Sequence, residues 1–90
     1  MRLDLFLKTS RLCPRRSVAQ KLCDAGLIFL NGLPAKSAHP VKPGDEITVR
    51  RRDKTSTLKV LSVPERSQPS RTEAGELYQI LNERMDPGQD

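Results

Sequence analysis

The sequence predicts an α+β domain, with two N-terminal helices packed on a small antiparallel sheet and a C-terminal helical tail. Three observations lead there. Apolar residues recur at helical spacing up to Gly26 and alternate after it. Asn31-Gly32 is a strong hairpin signal, and Pro43-Gly44 marks a second turn. With no Trp, one Tyr and two Phe, the core must be built from aliphatic side chains.

The first helix follows from Leu3, Phe6 and Leu7, which sit at i, i+3 and i+4 and so share one face. Arg2, Asp4, Lys8 and Arg11 lie off that stripe, and the Asp4 to Lys8 spacing allows an intrahelical ion pair. The second helix is expected between Pro14, suited to a first helical position, and Gly26, suited to the left-handed residue past the end. Val18, Ala19, Leu22, Cys23 and Ala25 form its apolar stripe, while Arg15, Arg16, Gln20, Lys21 and Asp24 face elsewhere. Leu27–Leu30 then reads as a strand with two apolar faces, so that Phe29 either packs under the tail or touches a partner.

Lys36–Pro40 is a loop whose His39 has no catalytic company and is expected to be solvated. Glu46–Arg50 alternates as a strand with Ile47 and Val49 inward, and Thr57–Val63 as another with Leu58 and Val60 inward. Arg50, Arg51 and Arg52 fall in the turn between them, either as a solvated tip or as a second phosphate contact. A polar, proline-interrupted linker follows. Ser70-Arg71-Thr72-Glu73 has the form of a helix start, and Leu77, Ile80, Leu81 and Met85 form a short amphipathic stripe behind it. The expected organisation is one domain over 1–63 and a linker with a short helix over 64–90.

The net charge of +5 conceals a division. Residues 1–60 carry thirteen Lys and Arg against five Asp and Glu, and residues 61–90 carry three against six. A basic body attracts polyanions, although charge alone equally suits a solubilising surface. Nothing approaches the roughly 20 apolar residues of a membrane span, and no apolar signal-peptide core follows Arg2. Cys13 and Cys23 fit no zinc spacing and are expected to be reduced thiols in a cytoplasmic protein, with Cys23 in the core. No phosphate loop, metal set or nucleophile–histidine–acid arrangement is present. No enzyme, cofactor or metal is therefore expected.

Arg2-Leu3-Asp4, Ser10-Arg11-Leu12, Arg16 with Ala19, Gly26, Asn31-Gly32, Lys36, Val41 and Gly44-Asp45 together resemble the S4-type RNA-binding domain over about residues 1–50. The length, the acidic tail with Tyr78-x-Ile80-Leu81, and the lack of the basic extension found in the fifteen-kilodalton heat-shock protein resemble the ribosome quality-control branch of that family. The resemblance implies an S4-type (αL) fold. It also implies a non-catalytic factor that binds 23S rRNA and peptidyl-tRNA on obstructed large (50S) ribosomal subunits and supports alanine tailing with the tRNA-recruiting factor RqcH.

By position, Asp4 and Arg16 match residues important for that contact, and Arg2, Lys8, Arg11, Arg15 and Lys36 match the basic surface, to which Lys21 adds. Arginine suits this work because its planar fork makes two hydrogen bonds to a phosphate. Asp4 would repel phosphate unless it orients a neighbouring arginine, for which Arg16 is the candidate. The protein is expected to act as a monomer. The start at Met1 and the Asp-Pro-Gly-Gln-Asp ending argue against a trimmed RNA-modifying enzyme. The alternatives are a stand-alone S4 protein in ribosome assembly, heat-shock ribosome recycling or RNA regulation, and a protein-interaction module whose charge only keeps it soluble.

Overall fold

Where the apolar spacing is helical, the chain forms α1 (Leu3–Thr9) and α2 (Arg16–Asp24). Where it alternates, the chain forms β1 (Ile28–Leu30), β2 (Leu33–Pro34), β3 (Glu46–Arg50) and β4 (Lys54–Val60). A short α3 (Arg71–Gly75) and β5 (Tyr78–Met85) complete it. The structure is a computed structural model and describes residues 1–64 and 71–85, without the side chains of residues 71 and 72. The five strands form one antiparallel sheet in the order β2-β1-β3-β4-β5.

The helices cover one face of the sheet. Leu3, Phe6 and Leu7 of α1 and Ala19 and Cys23 of α2 join Ile28, Leu30, Ile47, Val49, Leu58 and Val60 in one aliphatic cluster. The inward residues expected of β3 and β4 are all buried. Phe29 lies on the opposite face, half-buried, between its register partners Thr48 and Pro34. It lies on the side of the sheet away from the helices.

The turns follow their chemistry. Gly26 has φ of 76° at the end of α2, where the N–H groups of Gly26 and Leu27 close onto the carbonyls of Cys23 and Leu22. Asn31 and Gly32 both have positive φ, 52° and 86°, as a two-residue primed hairpin turn requires. The Asn31 side chain also donates to Asp45 Oδ1 at 3.2 Å and accepts from the Glu46 N–H at 3.0 Å. Asp45 Oδ2 in turn accepts from the Lys42 N–H at 3.0 Å. The two turns thus share one hydrogen-bonded lattice.

Four expectations change. Pro14 does not open α2. Arg15, extended at φ −141°, stands at its N-cap, and Pro14 lies one residue further out. Asp4 turns away from Lys8 towards two arginines. The turn before β4 is tighter than expected: the Arg51 N–H bonds the Lys54 carbonyl, so Arg52-Asp53 alone makes the loop and β4 starts at Lys54, not Thr57. Its first residues are polar and gave no apolar signal.

The largest change is at the C-terminus. The amphipathic helix expected over Leu77 to Met85 is instead the edge strand β5, paired along the whole of β4. Among the described residues of the C-terminal stretch only Arg71–Gly75 is helical, and Ser70, the expected cap, lies outside the described residues. A free β4 edge would leave its backbone groups unpaired, and β5 satisfies them.

Candidate nucleic-acid interface

Asp4 organises the helical face. Its side chain is completely buried. The Leu5 N–H donates to its Oδ1 at 2.7 Å. Its Oδ2 accepts from Arg16 Nε at 3.1 Å, Gln20 Nε2 at 2.9 Å and Arg2 Nη2 at 3.3 Å, and Arg2 Nε lies 3.3 Å from Oδ1. Burial pushes the carboxyl up. The hydrogen bonds from Gln20, Arg16 and Leu5, with the Arg16 charge, outweigh burial and hold it below the usual carboxylate range.

The two guanidiniums remain half outside, with side-chain exposures of 47% for Arg2 and 42% for Arg16. Each is therefore fixed from within by one buried carboxylate and still faces solvent. A fixed, exposed guanidinium has already given up much of its rotamer freedom, so binding a phosphate costs it less. The expected pairing of Asp4 with Arg16 is present; Arg2 joins it from the other side.

Gln20 is the participant that sequence reasoning missed. It lies one turn beyond Arg16 on α2, on the side turned to Asp4, and that i, i+4 relation was its available signal. The loop expected over Lys36–Pro40 covers the start of α1. The carbonyls of His39 and Ser37 accept from the N–H groups of Leu3 and Asp4 at 2.8 and 3.1 Å, which places exposed Lys36 beside this cluster. Arg15 and Lys21 are exposed on α2, and Lys8 is half-exposed in the last turn of α1.

The three hairpin arginines do not act together. Arg50 points to the open face of the sheet and Arg52 is exposed in the turn. Arg51 donates from Nη2 to the Leu12 carbonyl, tying the hairpin to the α1–α2 turn. Arg11 ends α1 with φ of 64°, and its side chain is exposed.

Neither thiol is set up to react. Burial pushes Cys13 up against the opposing influence of Arg51, and burial with the charges of Asp4 and Asp24 pushes Cys23 up to about 11. Among the described residues, no group of His, Cys, Asp and Glu side chains is placed to hold a metal ion. No helix of those residues is long and apolar enough to cross a membrane.

The S4 domain family model matches residues 1–47, the stretch that holds α1, α2, the Asp4 cluster and the Asn31–Asp45 lattice. The chain belongs to the S4 domain family. Among its relatives, the RQC P-site tRNA stabilizing factor of Bacillus subtilis (strain 168) is 46% identical over 83 residues, covering 92% of this chain and 94% of that protein. The factor of the same name from Streptococcus pneumoniae (strain R6) is 37% identical over 83 residues, covering 92% of each chain. The trimeric structure of Vibrio cholerae Heat Shock Protein 15 superposes with a TM-score of 0.80 at 30% identity, covering 89% of this chain and 80% of that one. The S4 fold here is therefore the one seen in Heat Shock Protein 15, helices on one face of an antiparallel sheet.

Proposed function

We propose that this S4 protein is a non-catalytic RNA-binding factor of ribosome-associated quality control. It binds 23S rRNA and peptidyl-tRNA on obstructed large ribosomal subunits in the cytoplasm and supports alanine tailing of stalled chains with RqcH. It acts as a monomer on the subunit. The relatives named as RQC P-site tRNA stabilizing factors, similar over nearly their whole length, support the setting.

The observation that carries the reading is the buried Asp4 holding Arg2 and Arg16 at the surface. Burying a carboxylate costs free energy that its donors offset, and what the cluster adds is a set place for two arginines. Double-stranded RNA is read by its phosphates and shape, because its deep major groove hides the base edges. Two fixed guanidinium forks, with Lys36, Arg15, Lys21, Lys8 and Arg11 around them, suit that target. Arg50 and Arg52 supply a secondary contact from the hairpin, whereas Arg51 serves it through the Leu12 tether.

The test is co-sedimentation with purified large subunits. Binding to subunits that carry peptidyl-tRNA, and much weaker binding to empty ones, is expected. Equal binding to both would favour the second reading, a more general ribosome-associated role of the kind the likeness to Heat Shock Protein 15 invites.

A further inference from the structure

A groove of about 270 Å³ opens on the helix side of the sheet, beyond the Asp4 cluster. Arg11 and Leu12 of the α1–α2 turn line one wall, Arg51 and Lys54 of the hairpin another, and Tyr78 and Ile80 of β5 the third. Three cations therefore surround it against one carboxylate, Glu83, which pairs with Lys54 at 3.0 Å. Arg51 is engaged with the Leu12 carbonyl. The Arg11 side chain is exposed at the mouth and, among the described residues, makes no hydrogen bond or ion pair.

Arg11 occupies its place against backbone preference. It stands just past the C-cap of α1 at φ 64°, the position that Gly26 fills behind α2. A left-handed conformation disfavours arginine and suits glycine or asparagine. A charged side chain held in that conformation, exposed beside a groove, has the character of a functional residue.

Resting on the RNA-binding reading above, we infer that this groove takes one unpaired nucleotide of the bound RNA, with its base against Tyr78 and its phosphate on Arg11. The walls suit both halves of that ligand. Tyr78 is half-buried and packs on the core, so its ring is held in place as a flat surface beside Ile80 and Val49. Bases turned out of a helix stack on such rings. The helical rise from Asp4 to Thr9 is about 7.5 Å, and Arg11 stands two residues beyond, so one RNA segment reaches both places. Ser56 and Glu83 at the groove offer polar partners for a base edge.

Tyr78 is the only tyrosine and the chain has no Trp, so intrinsic fluorescence reports on this groove alone. The probes are two RNA hairpins with the same stem, one with a single bulged adenosine and one fully paired. The bulged hairpin should quench the tyrosine emission saturably and the paired one should not. Tyr78→Leu should lower affinity for the bulged hairpin about tenfold, the scale of one lost stacking contact, and leave the paired one unchanged. Arg11→Gln should weaken binding of the bulged hairpin more than that of the paired one, because Arg11 also belongs to the basic surface around the stem. Arg16→Ala should weaken both hairpins alike.

Unchanged tyrosine emission at saturation with the bulged hairpin overturns the inference, and this measurement needs only the wild-type protein. Equal loss on both hairpins in Tyr78→Leu overturns it too, as does wild-type affinity in that variant, the result expected if the groove holds a peptide. If the wild-type protein binds neither hairpin, the RNA-binding reading falls with it.

Discussion

Replacing Asp4 with Asn removes one charge at nearly constant volume from a fully buried site. The carboxylate accepts from the Leu5 N–H, Gln20, Arg16 and Arg2. An asparagine retains a single oxygen for these donors, and its amide N–H₂ group points further donors at them. A hydrogen bond to a charged group is worth about 1.5–3 kcal/mol. Because both guanidiniums are nearly half exposed and regain water, the net loss should be smaller than the ~3–5 kcal/mol of a fully buried broken pair. About 2 kcal/mol is expected, and for a domain of this size that lowers Tm by roughly 8–16 °C. Denaturant unfolding and calorimetry read this.

RNA affinity should fall although the variant is more cationic, since its arginines are no longer held. The pH dependence carries a separate signature. Asp4 is depressed in the folded protein, so its contribution is complete above the unfolded carboxylate value of about 3.9 and is lost as pH falls below that through the folded value. Asp4→Asn should lack this part of the acid transition. A folded Asp4→Asn protein that binds RNA as tightly as wild type would refute the reasoning.

Four further outcomes are expected. Gln20→Ala should cost about 1 kcal/mol and raise the acid midpoint, because Gln20 is a principal hydrogen-bonding support of the Asp4 carboxylate; urea titrations at several pH values check this. Asn31→Ala should cost about 1–2 kcal/mol through the left-handed turn and the lost Asp45 lattice, with RNA affinity nearly unchanged in a filter-binding assay. Arg11→Gly should raise Tm by a few degrees through relief of the left-handed strain, offset in part by about 0.5–1 kcal/mol of glycine entropy, while RNA binding weakens. Cys13 and Cys23 should resist iodoacetamide at pH 8 in the folded protein and react on unfolding, because burial holds both thiols protonated.

Local signals carried most of this fold. The α1 stripe, the Asn31-Gly32 turn and the alternation of Ile47 and Val49 each state their structure within a few residues, and each is found as expected. The Asp4–Arg16 pairing was legible because an acid among arginines needs a reason. Gln20 was not, because a neutral amide off the apolar stripe looks like any solvated side chain.

β5 was illegible for a physical reason. Leu58 pairs with Ile80 but Thr57 pairs with Asn82, so Leu81 is an extra residue in the ladder. That bulge puts Tyr78 and Ile80 on the helix side of the sheet before it and Glu83 and Met85 on the same side after it. It breaks the period of two and leaves a spacing that imitates a helix. What selects the strand is the open edge of β4, a partner some twenty residues away that no local window contains. The open edge also explains why a strand with Ile80, Leu81 and Met85 exposed forms at all.

The central claim is that the Asp4-organised helical face grips ribosomal RNA on obstructed large subunits. A cryo-EM map of the protein on such subunits tests it most directly. The account predicts α1 and α2 against an rRNA helix, with Arg2 and Arg16 on its phosphates and Asp4 still buried between them. A map with that face turned to solvent, and the protein held by another surface, would contradict it.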